Sequence, residues 1–161
     1  MPVVWRIVKA VYASQAFDGE GARLNGGRWN SPGVRMIYTS DSLALAALEL
    51  LTRLNDATHL PNFVVIPADL PDALVTEIDL AKLPAHWQSH PAPPELQMLG
   101  DAWAKASSSL ALRVPSTVVP RQHNYLLNPE HPDFGALKVS PPEPFAFDMR
   151  LLPKLSGGGA Y

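Results

Sequence analysis

The chain opens on a short apolar run, Val3 to Val8, interrupted by Arg6, a pattern that predicts a β-strand. From residue 13 to 33 the apolar periodicity disappears. Gly19, Gly21, Gly26 and Gly27 lie there among polar residues, as in a long connection, and such loops commonly carry function. A second strand is predicted at Arg35 to Thr39, after which Ser40 or Asp41 supplies an N-cap for a helix running to about Leu54. Asn62 to Ile66 and Leu74 to Ile78 read as further strands, and Pro94 to about Ser107 as a helix with proline in its first turn. Leu110 to Val114 and Thr117 to Val119 read as strands broken by Pro115, and a last strand or two fall between Ala136 and Met149. The 17 prolines cluster at 84–94, 115–132 and 141–144, so much of the C-terminal half is short strands and shaped loops. There is no internal repeat and no domain-splitting linker. Many short strands with two or three helices predict a compact single α+β domain over residues 1–155, with 156–161 as a flexible tail.

One position breaks the pattern of the first predicted helix. Glu49 is the sole charge in Leu43-Ala44-Leu45-Ala46-Ala47-Leu48-Glu49-Leu50-Leu51. A helix built this way is packed over most of its circumference, which holds the carboxylate close to apolar surface. A buried charge without a partner is costly, so the chain either provides one, uses the group, or leaves Glu49 on a narrow exposed strip.

Composition narrows the classes of function. At 161 residues, 47% hydrophobic and 17% charged, the chain has the make-up of one globular domain. A net charge of −2 and a pI near 6.2 give no electrostatic footprint for direct nucleic-acid binding. The absence of cysteine removes disulfides, thiolate chemistry and Cys-type zinc sites. His59, His86, His90, His123 and His131 lack metal-ligand spacing on a helix, so no metal site is expected. No stretch approaches the roughly 20 apolar residues of a membrane span, and Met-Pro-Val-Val-Trp-Arg does not have the layout of a secretory signal. The expected location is the cytoplasm.

Four further residues could carry chemistry. Arg28 lies in Asn25-Gly26-Gly27-Arg28-Trp29-Asn30, where glycines allow close backbone approach to a ligand and the guanidinium can grip a carboxylate or phosphate bidentately. Tyr38 ends the strand that feeds the Glu49 helix, and strand ends commonly open onto a cleft. Arg6 interrupts the first strand. Ser116, after Pro115, would set a hydroxyl on a rigid bend. Taken singly each has a plain reading: a loop ion pair, a core aromatic, a solvated strand face, a turn serine. Nothing matches the Gly-x-Ser-x-Gly elbow, a dinucleotide glycine fingerprint or a phosphate-binding P-loop.

Taken together, these segments resemble the RES domain. The resemblance rests on Asn25 to Asn30, Met36-Ile37-Tyr38-Thr39, Leu45 to Leu50 around Glu49, and Val114-Pro115-Ser116 through Asn128-Pro129-Glu130-His131-Pro132-Asp133-Phe134, and covers roughly residues 3–150. It implies a fold like that of ADP-ribosyltransferases, with short strands in a central split sheet flanked by helices. It implies a toxin of an Xre–RES type II toxin–antitoxin pair that consumes NAD⁺ as substrate, by phosphorolysis or hydrolysis of the nicotinamide–ribose bond. Modification of a specific protein with ADP-ribose is the alternative activity, and a catalytically silent binding module with a structural Arg28–Glu49 pair is a third reading. By motif position the resemblance makes Glu49, Arg28, Tyr38 and Ser116 the catalytic residues. Arg6, Arg28, Tyr38, Ser116 and Asn124 would bind the dinucleotide, with inorganic phosphate a candidate co-substrate and no metal. The implied partner is an Xre-type helix-turn-helix antitoxin that blocks the active site and carries the DNA contact, an arrangement compatible with a homodimer of the toxin.

Overall fold

The computed structural model describes residues 2–152 apart from Ala57. The expected flexible tail at 156–161 lies outside the described residues. In chain order the elements are β1 (Val3–Lys9), α1 (Glu20–Asn25), β2 (Ile37–Ser40), α2 (Leu43–Leu51), β3 (Phe63–Asp69), β4 (Val75–Glu77), α3 (Pro94–Ala106), β5 (Ala111–Pro115), β6 (His123–Leu127), β7 (Lys138–Val139) and β8 (Glu143–Phe145). The strands form one sheet in the order β4-β5-β6-β2-β1-β3-β7, with β8 also on β3. All pairs are antiparallel except the parallel pair β4–β5. The α+β class is as expected. Among the described residues, no helix is long and apolar enough to cross a membrane.

The sheet is nearly split. β1 and β3 pair along their whole length, from Val3↔Asp69 to Lys9↔Phe63, and β2 pairs with β6 from Ile37↔Leu127 to Ser40↔Asn124. The two halves are joined across β1 and β2 by the single register pair Trp5↔Ser40. Arg6 fills the gap. Its Nη1 donates to the Tyr38 carbonyl at 2.9 Å and its Nε to the Ala16 carbonyl at 2.7 Å, satisfying backbone acceptors that no strand reaches.

Alternation on the middle strands sorts side chains into two cores. Leu112, Val114 and Leu126 pack with Trp29, Met36, Leu96 and Trp103 beneath α3, while Ala111, Tyr125 and Leu127 pack with Val4, Ile37 and Leu70 on the other face. Burial on both faces explains the consecutive apolar residues Ala111-Leu112 and Tyr125-Leu126-Leu127 on these strands. A third cluster, around Phe63 and Phe147, lies under Ala47, Leu50 and Leu51 of α2.

Several local expectations are corrected. The N-cap of α2 is Ser42, whose side chain accepts from the Leu45 amide at 3.0 Å, and the helix ends at Leu51. Only Leu45 and Ala46 of that helix are fully buried, and Leu48 is 40% exposed. The long connection contains α1 and a 3-10 turn at Ala10–Gln15. Thr117 to Val119 is a turn, because the Ser116 hydroxyl captures the amides of Val118 and Val119 that a strand would use in its ladder. The strand after Pro115 is β6, which begins on the polar pair His123-Asn124.

Candidate functional site

Glu49 projects from α2, half-buried, toward the ends of β5 and β6. Its Oε1 accepts from the Ser116 hydroxyl at 2.8 Å and from Asn124 Nδ2 at 2.8 Å. Ser116 has no exposed surface, and its oxygen in turn accepts from the Val118 and Val119 amides at 3.1 Å each. Asn124 is oriented by its cross-strand neighbour: Ser40 Oγ donates to Asn124 Oδ1 at 2.8 Å, which turns the amide NH₂ toward Glu49. Two neutral donors thus fix one carboxylate oxygen. Among the described residues no hydrogen bond is made to Oε2. Ser116 and Asn124 stand behind the carboxylate as its supports.

Arg28 faces this group from the glycine loop. Its Nη1 donates to the carbonyls of Trp87 at 3.2 Å and Ser89 at 3.0 Å, so the guanidinium is held by backbone. Partial burial lowers its pKa, an effect opposed by the negative charge of Glu49 and by Tyr38, and it remains a cation. Among the described residues no ion pair joins Arg28 to Glu49. A cavity of about 380 Å³, lined by Leu83, Trp87, Pro115 and His123 among others, opens beside this anchor.

The loop carrying Arg28 is clamped from two sides. Asn30, fully buried, donates through Nδ2 to the carbonyls of Ala22 at 2.8 Å and Val34 at 3.0 Å. Its Oδ1 accepts from the Tyr38 hydroxyl, and that hydroxyl accepts from the Trp29 amide at 3.0 Å. From α3, Gln97 donates to the carbonyls of Gly27 at 3.0 Å and Asn30 at 3.2 Å, and Asp101 accepts from the Ser31 amide at 2.9 Å. The glycine at 27 serves this packing: a Cβ there would lie 2.9 Å from both Asn30 Oδ1 and Tyr38 Cζ. Burial pushes the Tyr38 phenol above the usual tyrosine range, with the Trp29 amide and Arg53 opposing, so it stays neutral.

Arg6 sits at the sheet seam. Burial first, and then the positive charge of Arg53, lower its pKa to about 10, so it is charged at neutral pH. The structure therefore joins Glu49, Ser116 and Asn124 by hydrogen bonds, sets Arg28 within reach of the Glu49 charge and of Tyr38, and places Arg6 behind Tyr38 at the sheet seam. Sequence reasoning missed Asn30, Ser40, Gln97 and Asp101, whose work is done through hydrogen bonds that only the folded register defines. It also missed Arg53, although four-residue spacing from Glu49 on a helix was a usable signal.

Known proteins share the fold and much of the sequence of this chain. A family model described as the RES domain matches residues 3–148. The chain is 39% identical over 150 residues to "Toxin Res" of Yersinia enterocolitica, covering 92% of this chain and 99% of that protein. It is 34% identical over 155 residues to the "Prs ADP-ribosylating toxin" of a Sphingobium species, covering 93% and 96% of the two chains. The toxin–antitoxin complex MbcT–MbcA of M. tuberculosis contains a chain with the same fold, at a TM-score of 0.73 and 20% identity, covering 96% of this chain and 88% of that one. Matched by the family model over residues 3–148 and by these relatives over more than nine-tenths of its length, this chain belongs to the RES-domain family.

Proposed function

We propose that this chain is the toxin of a toxin–antitoxin pair and that it consumes NAD⁺ in the cytoplasm by cleaving the nicotinamide–ribose bond. The observation that carries the reading is Glu49: a half-buried carboxylate, fixed through Oε1 by Ser116 and Asn124, facing the cation Arg28 across a cleft. Cleavage of this bond sends its electron pair to the pyridinium nitrogen, so nicotinamide leaves neutral and needs no proton. The ribosyl C1 becomes oxocarbenium-like, and a preplaced carboxylate stabilises that charge, as in glycoside hydrolysis. An oxygen of water or of inorganic phosphate then bonds to C1 and releases a proton. Held on one side only, Glu49 has Oε2 available for the cation or the ribose hydroxyls, while Arg28 attracts the anionic part of the dinucleotide.

Incubating the purified chain with NAD⁺, with and without phosphate, tests this. Nicotinamide release with ADP-ribose as co-product indicates hydrolysis, and ADP-ribose-1″-phosphate formed only with phosphate indicates phosphorolysis. No nicotinamide in either case overturns the reading. ADP-ribosylation of a protein is the second reading, supported by the relative named as an ADP-ribosylating toxin at 34% identity over 93% of this chain. Labelled NAD⁺ and cell lysate separate the two, because a labelled protein band forms only in the second. The proposed partner is a helix-turn-helix antitoxin of Xre type that covers the cleft, consistent with a fold neighbour solved as a toxin–antitoxin complex.

A further inference from the structure

The proposed substrate carries a diphosphate, and the arginine first expected to help hold it is committed elsewhere. Arg6 uses Nε and Nη1 on the Ala16 and Tyr38 carbonyls at the sheet seam. Arg28 uses Nη1 on two loop carbonyls. A third arginine lies on the segment that carries Glu49. Arg53 follows the last turn of α2, four residues after Glu49, and its amide continues the turn by donating to the Leu50 carbonyl at 2.9 Å. Arg53 lies one residue beyond Thr52, the αR C-cap of α2, so the chain carries it on directly from the turn that holds Glu49. Arg53 is exposed, and among the described residues its side chain makes no hydrogen bond or ion pair. Its charge nonetheless lowers the pKa of Arg6 on β1 and opposes the rise at Tyr38 on β2, so the guanidinium lies near both groups.

We propose that Arg53 grips the diphosphate of the dinucleotide substrate and so makes this cleft selective for a dinucleotide over an unphosphorylated nicotinamide riboside. This rests on the NAD⁺ reading above and assigns the residue that reading lacks. A guanidinium suits the task because its planar fork can bind two phosphate oxygens at once, which an ammonium cannot. Its exposure in the free chain leaves the fork available, and an exposed arginine with no partner can be removed without opening the core.

The test is calorimetric titration of ADP-ribose into the wild type, Arg53→Ala and Arg53→Lys, alongside kinetics of nicotinamide release. For Arg53→Ala, a loss of ADP-ribose affinity and a matching rise in KM for NAD⁺ of about 10–100-fold are expected, with kcat near wild type and an unchanged melting temperature. Arg53→Lys should recover only part of the affinity, and nicotinamide riboside should be cleaved equally by wild type and Arg53→Ala. Unchanged ADP-ribose affinity in Arg53→Ala overturns the proposal while NAD⁺ cleavage stands. Equal loss on NAD⁺ and nicotinamide riboside overturns it too, because that pattern marks a structural role. If the wild type binds ADP-ribose through Arg53 but cleaves nothing, the diphosphate site stands and the cleavage reading falls.

Discussion

Gly100 tests how the site is positioned, because two effects of opposite sign compete there. It lies inside α3, where replacing glycine by alanine removes a conformational penalty of about 1 kcal/mol and would ordinarily stabilise. Its Cα, however, faces the backbone of Trp29. A Cβ would overlap the Trp29 carbonyl oxygen, lie 2.7 Å from the carbonyl carbon and 3.1 Å from the Trp29 Cβ. These neighbours are backbone and near-backbone atoms, so no flexible side-chain end can swing aside. Either α3 or the 26–31 loop must move out of the core around Leu96 and Trp103. Overpacking of this kind costs about 1–3 kcal/mol, and with backbone on both sides the upper end applies. Setting about 3 kcal/mol against the propensity gain of about 1 leaves Gly100→Ala destabilised by about 2 kcal/mol. For a domain of this size that lowers the melting temperature by about 4–8 °C. Thermal unfolding followed by circular dichroism measures it. Because Gln97 and Asp101 flank Gly100 and hold the Arg28 loop, turnover should fall at temperatures where the variant is still folded. A melting temperature equal to or above wild type refutes the close approach and the positioning account built on it.

Tyr38→Phe should cost about 1–3 kcal/mol in urea unfolding, because the Trp29 amide loses its acceptor and buried Asn30 Oδ1 its donor. A variant as stable as wild type would show that the hydroxyl does not order the loop. Arg6→Ala should lower stability by about 3 kcal/mol by stripping two carbonyls at the sheet seam of charged donors, and an unchanged unfolding midpoint contradicts the seam role. His123 accepts at Nδ1 from Arg113 Nη2 at 2.9 Å, and burial and then the Arg113 charge lower its pKa below the ordinary 6.5. A depressed histidine contributes stability above its unfolded pKa and loses it as pH falls through the folded one, so His123 destabilises the chain below about pH 6.5. An NMR titration of the His123 ring with a midpoint at or above 6.5 would contradict this.

The residues that sequence order reveals and those it hides differ in kind. Glu49 stood out because a charge inside a Leu/Ala run conflicts with its surroundings, and the conflict is resolved by Ser116 and Asn124, 67 and 75 residues away. The strands around Val3, Phe63 and Ala111 were legible because their apolar runs face cores on both sides of the sheet. Thr117 to Val119 misled because β-branched residues favour strands, whereas a local hydroxyl bond to their amides dominates. Strand β6 was hidden by its first residues, since His123 and Asn124 face the site end and carry no apolar signal. Asn30 reads as an ordinary residue of a glycine-containing loop, and its side-chain bonds to Ala22, Val34 and Tyr38 are complete only once Tyr38 arrives from β2. Arg6 looked like a ligand-binding cation. Its structural place follows from a single register pair between β1 and β2, a property of sheet pairing that no local pattern encodes.

The central claim is that the Glu49 carboxylate acts on the ribosyl cation of NAD⁺. Glutamine at 49 keeps an Oε1 acceptor for Ser116 and Asn124 while removing the charge, so folding and site geometry should survive the change. Nicotinamide release from NAD⁺ by purified wild type and Glu49→Gln, each shown to have the same melting temperature, is the direct measurement. Loss of one preplaced electrostatic group predicts a fall in kcat of about 100-fold or more. Release at an undiminished rate by Glu49→Gln, or no release by the wild type, would contradict the account.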